Sequence, residues 1–236
     1  MIKFSKEIMN LALQKMPKCN SINILCSMGV DSVAAAHYCA TKLNRTHNNL
    51  NRLVTFRHFN HGLRKQNDLM ETSYISMMLD EDFREMGYPP VVLTNYVKDK
   101  SEDGLRQARL EYIKNNVDCT IFITAHHLDD ATESYMMNVL RGKEGFLPIP
   151  FITEVGSNLI VHPFLFTKKA DFRQYAERND LMQYVVEDET NKVTKGSRRN
   201  FIRNEIIPLI QREKMGLDTI VKKKIEQRLM LDIIKG

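Results

Sequence analysis

Ser21-Ile22-Asn23-Ile24-Leu25-Cys26 runs directly into Ser27-Met28-Gly29-Val30-Asp31-Ser32, and that turn into Val33-Ala34-Ala35-Ala36-His37-Tyr38. The first six residues read as a short buried strand, and the alanine-rich stretch has helical spacing. Strand, glycine turn and helix open a βα unit. Such a turn points the free N–H groups of the helix start at one spot, and with the helix dipole they make an anion site. Gly29 lets the backbone approach a phosphate closely. Ser27 and Ser32 add hydroxyl donors. Asp31 repels phosphate, so its uses are to hold a metal ion that travels with phosphates or to cap the helix. There is no Gly-Lys-Ser/Thr element, which separates this turn from the P-loop of kinases and motor ATPases. An ordinary βα turn with an Asp/Ser cap is the competing reading.

Outward from this unit the pattern repeats. Strands are expected at Leu53–Phe59, Val91–Thr94 and Thr120–Thr124, and helices over Asp68–Met86, Gly104–Asn116 and about Asp129–Leu140. Gly87 and the Pro89-Pro90 pair stop the first of these helices. The alternation predicts an α/β fold, a parallel sheet flanked by helices. After Gly142 the stretch Phe151–His162 reads as a hairpin turning at Gly156-Ser157-Asn158. Helices follow at Lys168–Asn179, Arg199–Gln211 and Leu217–Lys235.

The chain has 236 residues, 43% hydrophobic and 27% charged, which fits a folded domain with at most a small appendage. No apolar run reaches the ~18 residues of a membrane span, and the charged N-terminus does not read as a secretory signal. Cys19, Cys26, Cys39 and Cys119 form no CxxC pair, so the cysteines suggest neither a zinc ribbon nor a disulfide scaffold. A reducing, cytoplasmic setting is the simple expectation. Net charge is +5, but residues 192–236 carry 12 Lys+Arg against 5 Asp+Glu, leaving the rest of the chain slightly acidic. A basic end on a near-neutral body suggests a polyanion such as a nucleic acid; a solvated helical face accounts for it equally well.

Three further clusters carry chemistry. His58-Phe59-Asn60-His61-Gly62-Leu63-Arg64 follows the second strand, on the side where open α/β sheets bind ligands. Gly104-Leu105-Arg106-Gln107-Ala108-Arg109 sets two arginines on one helix face, suited to clamping phosphate or to a solvated edge. Thr124-Ala125-His126-His127-Leu128-Asp129-Asp130-Ala131-Thr132-Glu133-Ser134 converges carboxylates on the start of a helix, as a site or as helix capping. The two histidines lack the helical spacing and third ligand of a zinc site.

Together these motifs resemble the tRNA(Ile)-lysidine synthetase family of the N-type ATP pyrophosphatases, the PP-loop superfamily. Its usual elements are SGGxDS, HxNHGLR, ARxxR and AHHxDDxxET followed by Arg-Gly, here Arg141-Gly142. His162-Pro163-Phe164-Leu165, Glu187-Asp188-Glu189-Thr190-Asn191 and Arg199-Asn200-Phe201-Ile202-Arg203 leading to Pro208-Leu209 match the later ones in order. Departures are Met28 for glycine, Ser134 for threonine, Leu110 for a frequent tyrosine, and a short C-terminal part where most members continue into RNA-binding domains.

The resemblance implies a Rossmann-like, adenine nucleotide alpha hydrolase-like catalytic domain over residues 1–214 and a basic helical extension over 215–236. It implies ATP and Mg²⁺ as cofactors, tRNA and free lysine as partners, and no membrane. The reaction is lysidine formation: ATP adenylates the 2-carbonyl of the anticodon wobble cytidine, and lysine then displaces AMP. Ser27, Gly29, Asp31, Ser32, His61 and Arg109 are expected to bind ATP, with Asp31 and Asp129 toward Mg²⁺. Asp31, Arg106, His126, Asp130 and Glu133 are expected to be catalytic, with Asp130 and Glu133 holding the lysine ammonium. Arg141, Arg199 and Arg203 are expected to meet RNA. The alternatives are a tRNA thiolation enzyme of the same superfamily and a non-catalytic RNA-binding relative.

Overall fold

The computed structural model describes residues 1–43, 53–61, 65–81, 83, 90–93, 95–143, 145–187 and 198–235. Gly62-Leu63-Arg64, residues 84–89 and residues 188–191, all parts of the sequence reading, lie outside them. β1 (Ser21–Leu25), β2 (Leu53–Arg57), β5 (Thr120–Ile123), β6 (Ile152–Val155) and β7 (Asn158–Val161) form one sheet in the order β2-β1-β5-β7-β6. β1 pairs parallel with β2 and β5, and β5 parallel with β7; β6 alone is antiparallel, to β7. β3 (Phe59–Asn60) and β4 (Val91–Val92) make a separate parallel pair.

The chain moves from β1 to one side for β2 and returns to the other side for β5. Strand order therefore reverses at β1, and the loops leaving β1 and β5 diverge to leave a crevice at the carboxyl ends of the strands, where open α/β sheets bind ligands. The hairpin expected at Phe151–His162 is present, and its second arm lies against β5 inside the main sheet. This placement fixes the site, because the register Ile123↔Val161 brings Thr124 beside His162.

Residues buried on both faces explain the apolar strands. Ile22, Ile24, Ile121, Phe122, Ile123 and Val161 are all at most 3% exposed. α2 (Val30–Tyr38) is alanine-rich because it packs close: Val33, Ala34, Ala35 and Ala36 are buried against β1 and against Phe172 and Ala176 of α6 (Lys169–Arg178). α1 (Lys6–Lys15) is an element that the sequence reading leaves unassigned. Ser5 caps it by accepting from Ile8 N–H at 3.3 Å, and Ile8, Met9 and Ala12 enter the core.

α3 (Lys65–Met78) and α4 (Glu102–Asn115) follow β3 and β4 respectively, and α5 (Leu128–Val139) leaves β5. The last expected helix but one is broken into α7 (Arg198–Phe201), a π-helical turn at Ile202–Ile206 and α8 (Ile207–Arg212). α9 (Leu217–Lys235) buries Leu217, Val221, Ile225 and Leu229 at four-residue spacing in the same core as the sheet. The basic extension is thus seated on the body of the fold. No helix among the described residues is long and apolar enough to cross a membrane.

Candidate active site

One cavity of about 340 Å³ opens at the strand-order reversal. It is lined by the turn after β1 (Cys26, Ser27, Gly29, Asp31, Ser32), by Arg106 and Arg109 of α4, and by Thr124, His126, Asp130 and His162. Leu25, Phe59, Leu110, Ile113 and Ile160 make an apolar side. Four motifs that are far apart in sequence therefore share one space.

The turn is built as an anion cradle. Ser32 Oγ accepts from Ser27 N–H at 3.1 Å and donates to Gly29 O at 2.9 Å, which folds the turn back on the helix start. A Cβ on Gly29 would meet only Ser27 Oγ, at 3.8 Å, so a side chain there would stand in open space at the cavity wall. Asp31 lines the same wall, and its Oδ1 is buried without a hydrogen-bond partner. An orphaned carboxylate oxygen at the start of a helix is a lone-pair ligand in need of a cation.

Met28 occupies the position where the family pattern has glycine, and its backbone explains that glycine: φ is +63°, the left-handed region. Its side chain does not crowd the cavity. It is fully buried in the core, 3.5 Å from Cys26 Sγ, while its carbonyl accepts from Val186 N–H at 2.8 Å. Met28→Gly would relieve about 1 kcal/mol of backbone strain but empty a core site worth about 2–5 kcal/mol. A net loss of about 2 kcal/mol is expected, read in a thermal melt as a fall of roughly 4–8 °C.

α5 begins in a reciprocal cap. His127 Nδ1 accepts from Asp130 N–H at 3.3 Å, and Asp130 Oδ2 accepts from His127 N–H at 3.1 Å. The other ring nitrogen of His127 is 3.5 Å from Asp31 Oδ2, so the cap also orients the phosphate-turn carboxylate. Burial opposes charge on His127, but Asp130, Asp31 and Asp129 outweigh it and raise its pKa. Burial likewise opposes charge on Asp130, and His127, His126 and Arg199 outweigh it and hold its carboxyl below the usual range.

Asp129 stands elsewhere. Its carboxylate accepts from Lys169 N–H at 2.8 Å, capping the start of α6, and it does not line the cavity. Of the two residues expected toward Mg²⁺, only Asp31 faces the space.

Glu133, one turn along α5 from Asp130, is buried and held by two guanidiniums. Arg199 Nε donates to it at 3.0 Å, and Arg203 binds it through both Nε and Nη2 at 2.5 and 2.8 Å. Arg199 also reaches Asp130 at 3.5 Å. The RNxxR arginines expected on an RNA-facing surface thus turn inward, because a buried carboxylate recruits them. Arg141 is exposed in the turn after α5.

His58 of the second motif braces the turn after β1. His58 Nδ1 donates to Cys26 O at 2.8 Å, and Asn60 donates to Glu71. His61 has a buried Nδ1 without a partner; burial, then Arg109 and His58, lower its pKa to about 4. It does not line the cavity, although the field of Arg109 reaches it.

The cavity also holds Arg57, Thr124 and His162, which local sequence reading does not single out as site residues. Arg57 ends β2 and donates to Tyr112 OH at 3.0 Å. Arg57 falls inside the strand expected over Leu53–Phe59, and only the observed end of β2 sets it at the cavity; for His162 the signal is its place at the end of the hairpin.

Comparison with known proteins fits this geometry. The tRNA(Ile)-lysidine synthase of Enterococcus faecalis is 29% identical over 91% of this chain and 46% of its own length. That of Staphylococcus aureus is 26% identical over 91% and 50%. That of Haemophilus ducreyi is 34% identical over 51% and 29%. The chain thus spans half or less of the length of these relatives. The fold is similar to that of the U34-tRNA thiolase NcsA from Methanococcus maripaludis, with a TM-score of 0.66 at 16% identity, over 95% of this chain and 78% of that one. The family model for the PP-loop domain matches residues 2–210, and the chain belongs to that family.

Proposed function

We propose that this chain ligates lysine to the 2-position of a tRNA wobble cytidine through an adenylated base. The observation that carries the reading is the single cavity holding the phosphate turn, Arg106, Arg109, His126 and Asp130 together. It faces an apolar wall formed by Leu25, Phe59, Leu110, Ile113 and Ile160, suited to a flat base.

ATP lies with its triphosphate on Ser27, Gly29 and Ser32. Arg106 and Arg109 stabilise the charge that grows on departing pyrophosphate. The orphaned Asp31 Oδ1 fits Mg²⁺, which takes one or two carboxylates and completes its shell with phosphate and water oxygens. Bound there, Mg²⁺ would neutralise phosphate charge. Lysine arrives as an ammonium, and Asp130 is the carboxylate that meets it at the cavity wall. Glu133 meets it only in exchange for Arg199 or Arg203. His126 takes the proton that the amine must lose.

A thiolation reading finds little support in the cysteines. Cys26 and Cys39 are buried, and burial raises both thiols, Cys26 to about 11. Among the described residues no three His, Cys, Asp or Glu side chains are grouped to hold a metal. Pyrophosphate release separates the readings. Release with tRNA that is completed to AMP by free lysine supports ligation. Dependence on a sulfur donor supports thiolation, and no release supports a non-catalytic RNA binder.

RNA would approach over Arg141 and the lysines of α9. Deleting α9 would remove core residues as well as charge, so the lysines themselves are the informative target. Lys222→Gln/Lys223→Gln/Lys224→Gln is expected to weaken tRNA binding and lower the slope of log affinity against log salt by about 1–3. A filter-binding salt series with an unchanged slope would remove the helix from the interface.

A further inference from the structure

Asp130 and Glu133 stand one turn apart on α5, and together they hold one arginine of α7 and one of the π-helical turn after it. Arg203 spans both oxygens of Glu133, Nε on one and Nη2 on the other. Arg199 Nε shares the second oxygen at 3.0 Å, and its Nη2 lies 3.5 Å from Asp130. Two carboxylates and two guanidiniums balance. Glu133 is buried, whereas Asp130 also lines the cavity.

A third cation does not fit this arrangement. An ammonium arriving at Asp130 from the cavity meets a guanidinium already drawn to the same carboxylate, and the two cations repel. The arginines differ in what their departure leaves behind. Without Arg203, Glu133 loses its two-point partner; without Arg199, Glu133 keeps it. Arg199 is also the more exposed of the two, 36% against 23%. It sits on a helix of four residues that gives way to the turn at Ile202–Ile206, so no long helix has to move with it.

The surroundings draw phosphate. Arg198 is exposed beside Arg199, and exposed Arg141 follows the end of α5. α9 sets Lys224 over the ring of Tyr135, two residues beyond Glu133. We propose that Arg199 is a positioning residue with two stations: it holds Asp130 and Glu133 in the free protein and exchanges them for an RNA phosphate in the complex, which opens Asp130 to the ammonium of lysine. The proposal takes its ligands from the ligation reading above. Charge stays balanced, because the phosphate takes the guanidinium and the ammonium takes its place. The amine is then held at Asp130 only when the RNA that receives it is bound. By linkage, RNA and lysine tighten each other by the same factor.

The test measures binding to the full chain without ATP, so that nothing turns over. Equilibrium dialysis reads lysine affinity with and without saturating tRNA that carries an unmodified wobble cytidine. Filter binding reads tRNA affinity with and without lysine. Wild type is expected to bind lysine on the order of tenfold tighter with tRNA, and tRNA tighter with lysine by the same factor. Arg199→Gln is expected to bind lysine without tRNA as tightly as wild type does with it, and to lose the coupling in both directions. Arg203→Gln strips Glu133 of its two-point partner, and is expected to lower the melting temperature and give no such gain. Three results overturn the exchange: a wild-type lysine affinity that ignores tRNA, an Arg199→Gln variant that binds lysine no tighter than wild type, or an equal gain in Arg203→Gln. If the wild-type chain still labels cytidine with heavy lysine, the ligation reading stands without the exchange. A wild-type chain that binds lysine neither alone nor with tRNA overturns both.

Discussion

Asp31→Ala is expected to cut tRNA-dependent AMP formation on the order of 10²–10³-fold or more, the range for removing one preorganised electrostatic group. The reason is local. Asp31 offers a buried carboxylate oxygen without a partner at the wall of the phosphate turn, and triphosphate chemistry there needs a cation to offset the charge. The loss should appear in the first half-reaction, pyrophosphate release without lysine. The fold should persist, because the start of α5 remains capped by the His127–Asp130 exchange of hydrogen bonds. Folded protein with near-normal pyrophosphate release would remove Asp31 from the mechanism.

Glu133→Ala carries the second large effect, and it divides differently. The carboxylate holds Arg199 and Arg203 and, through Arg199, the environment of Asp130. Removing it leaves two guanidiniums beside a cavity for one less anion. Breaking a buried pair of this type costs about 3–5 kcal/mol, and the arginine side chains are 36% and 23% exposed, which places the expected cost near the lower end. Lysine-dependent AMP release is expected to be abolished, with the adenylation half-reaction retaining more activity than in Asp31→Ala. Equal losses in both half-reactions would place Glu133 in the general framework of the fold and not at the amine.

The chemistry of the site was legible wherever a motif is local. The phosphate turn, the arginine pair of α4 and the cap of α5 each lie within about one helical turn of sequence, so residue type and spacing suffice to find them. Met28 was ambiguous in sequence because its φ and side-chain direction depend on the core around it; the structure turns it away from the cavity. What stayed hidden depends on pairing across distance. β7 inserts beside β5, and only that register places His162 on Thr124. The inward turn of Arg199 and Arg203 is likewise invisible in a basic segment, because net charge does not say which carboxylate a guanidinium will find. The N-terminal stretch is read in sequence only for its lack of a signal-like apolar core, although the Ser5 cap and the apolar stripe Ile8, Met9 and Ala12 of α1 are local features. Asp129 and Asp130 are neighbours in sequence yet serve different helices, one capping α6 and one facing the cavity.

The most direct measurement is mass spectrometry of nucleosides from tRNA incubated with the chain, ATP and isotopically heavy lysine. The account predicts a modified cytidine that carries the full heavy-lysine mass increment, formed only when both ATP and lysine are present. A tRNA whose nucleosides remain unlabelled while ATP is converted to AMP, or whose cytidine gains sulfur in place of lysine, would contradict it.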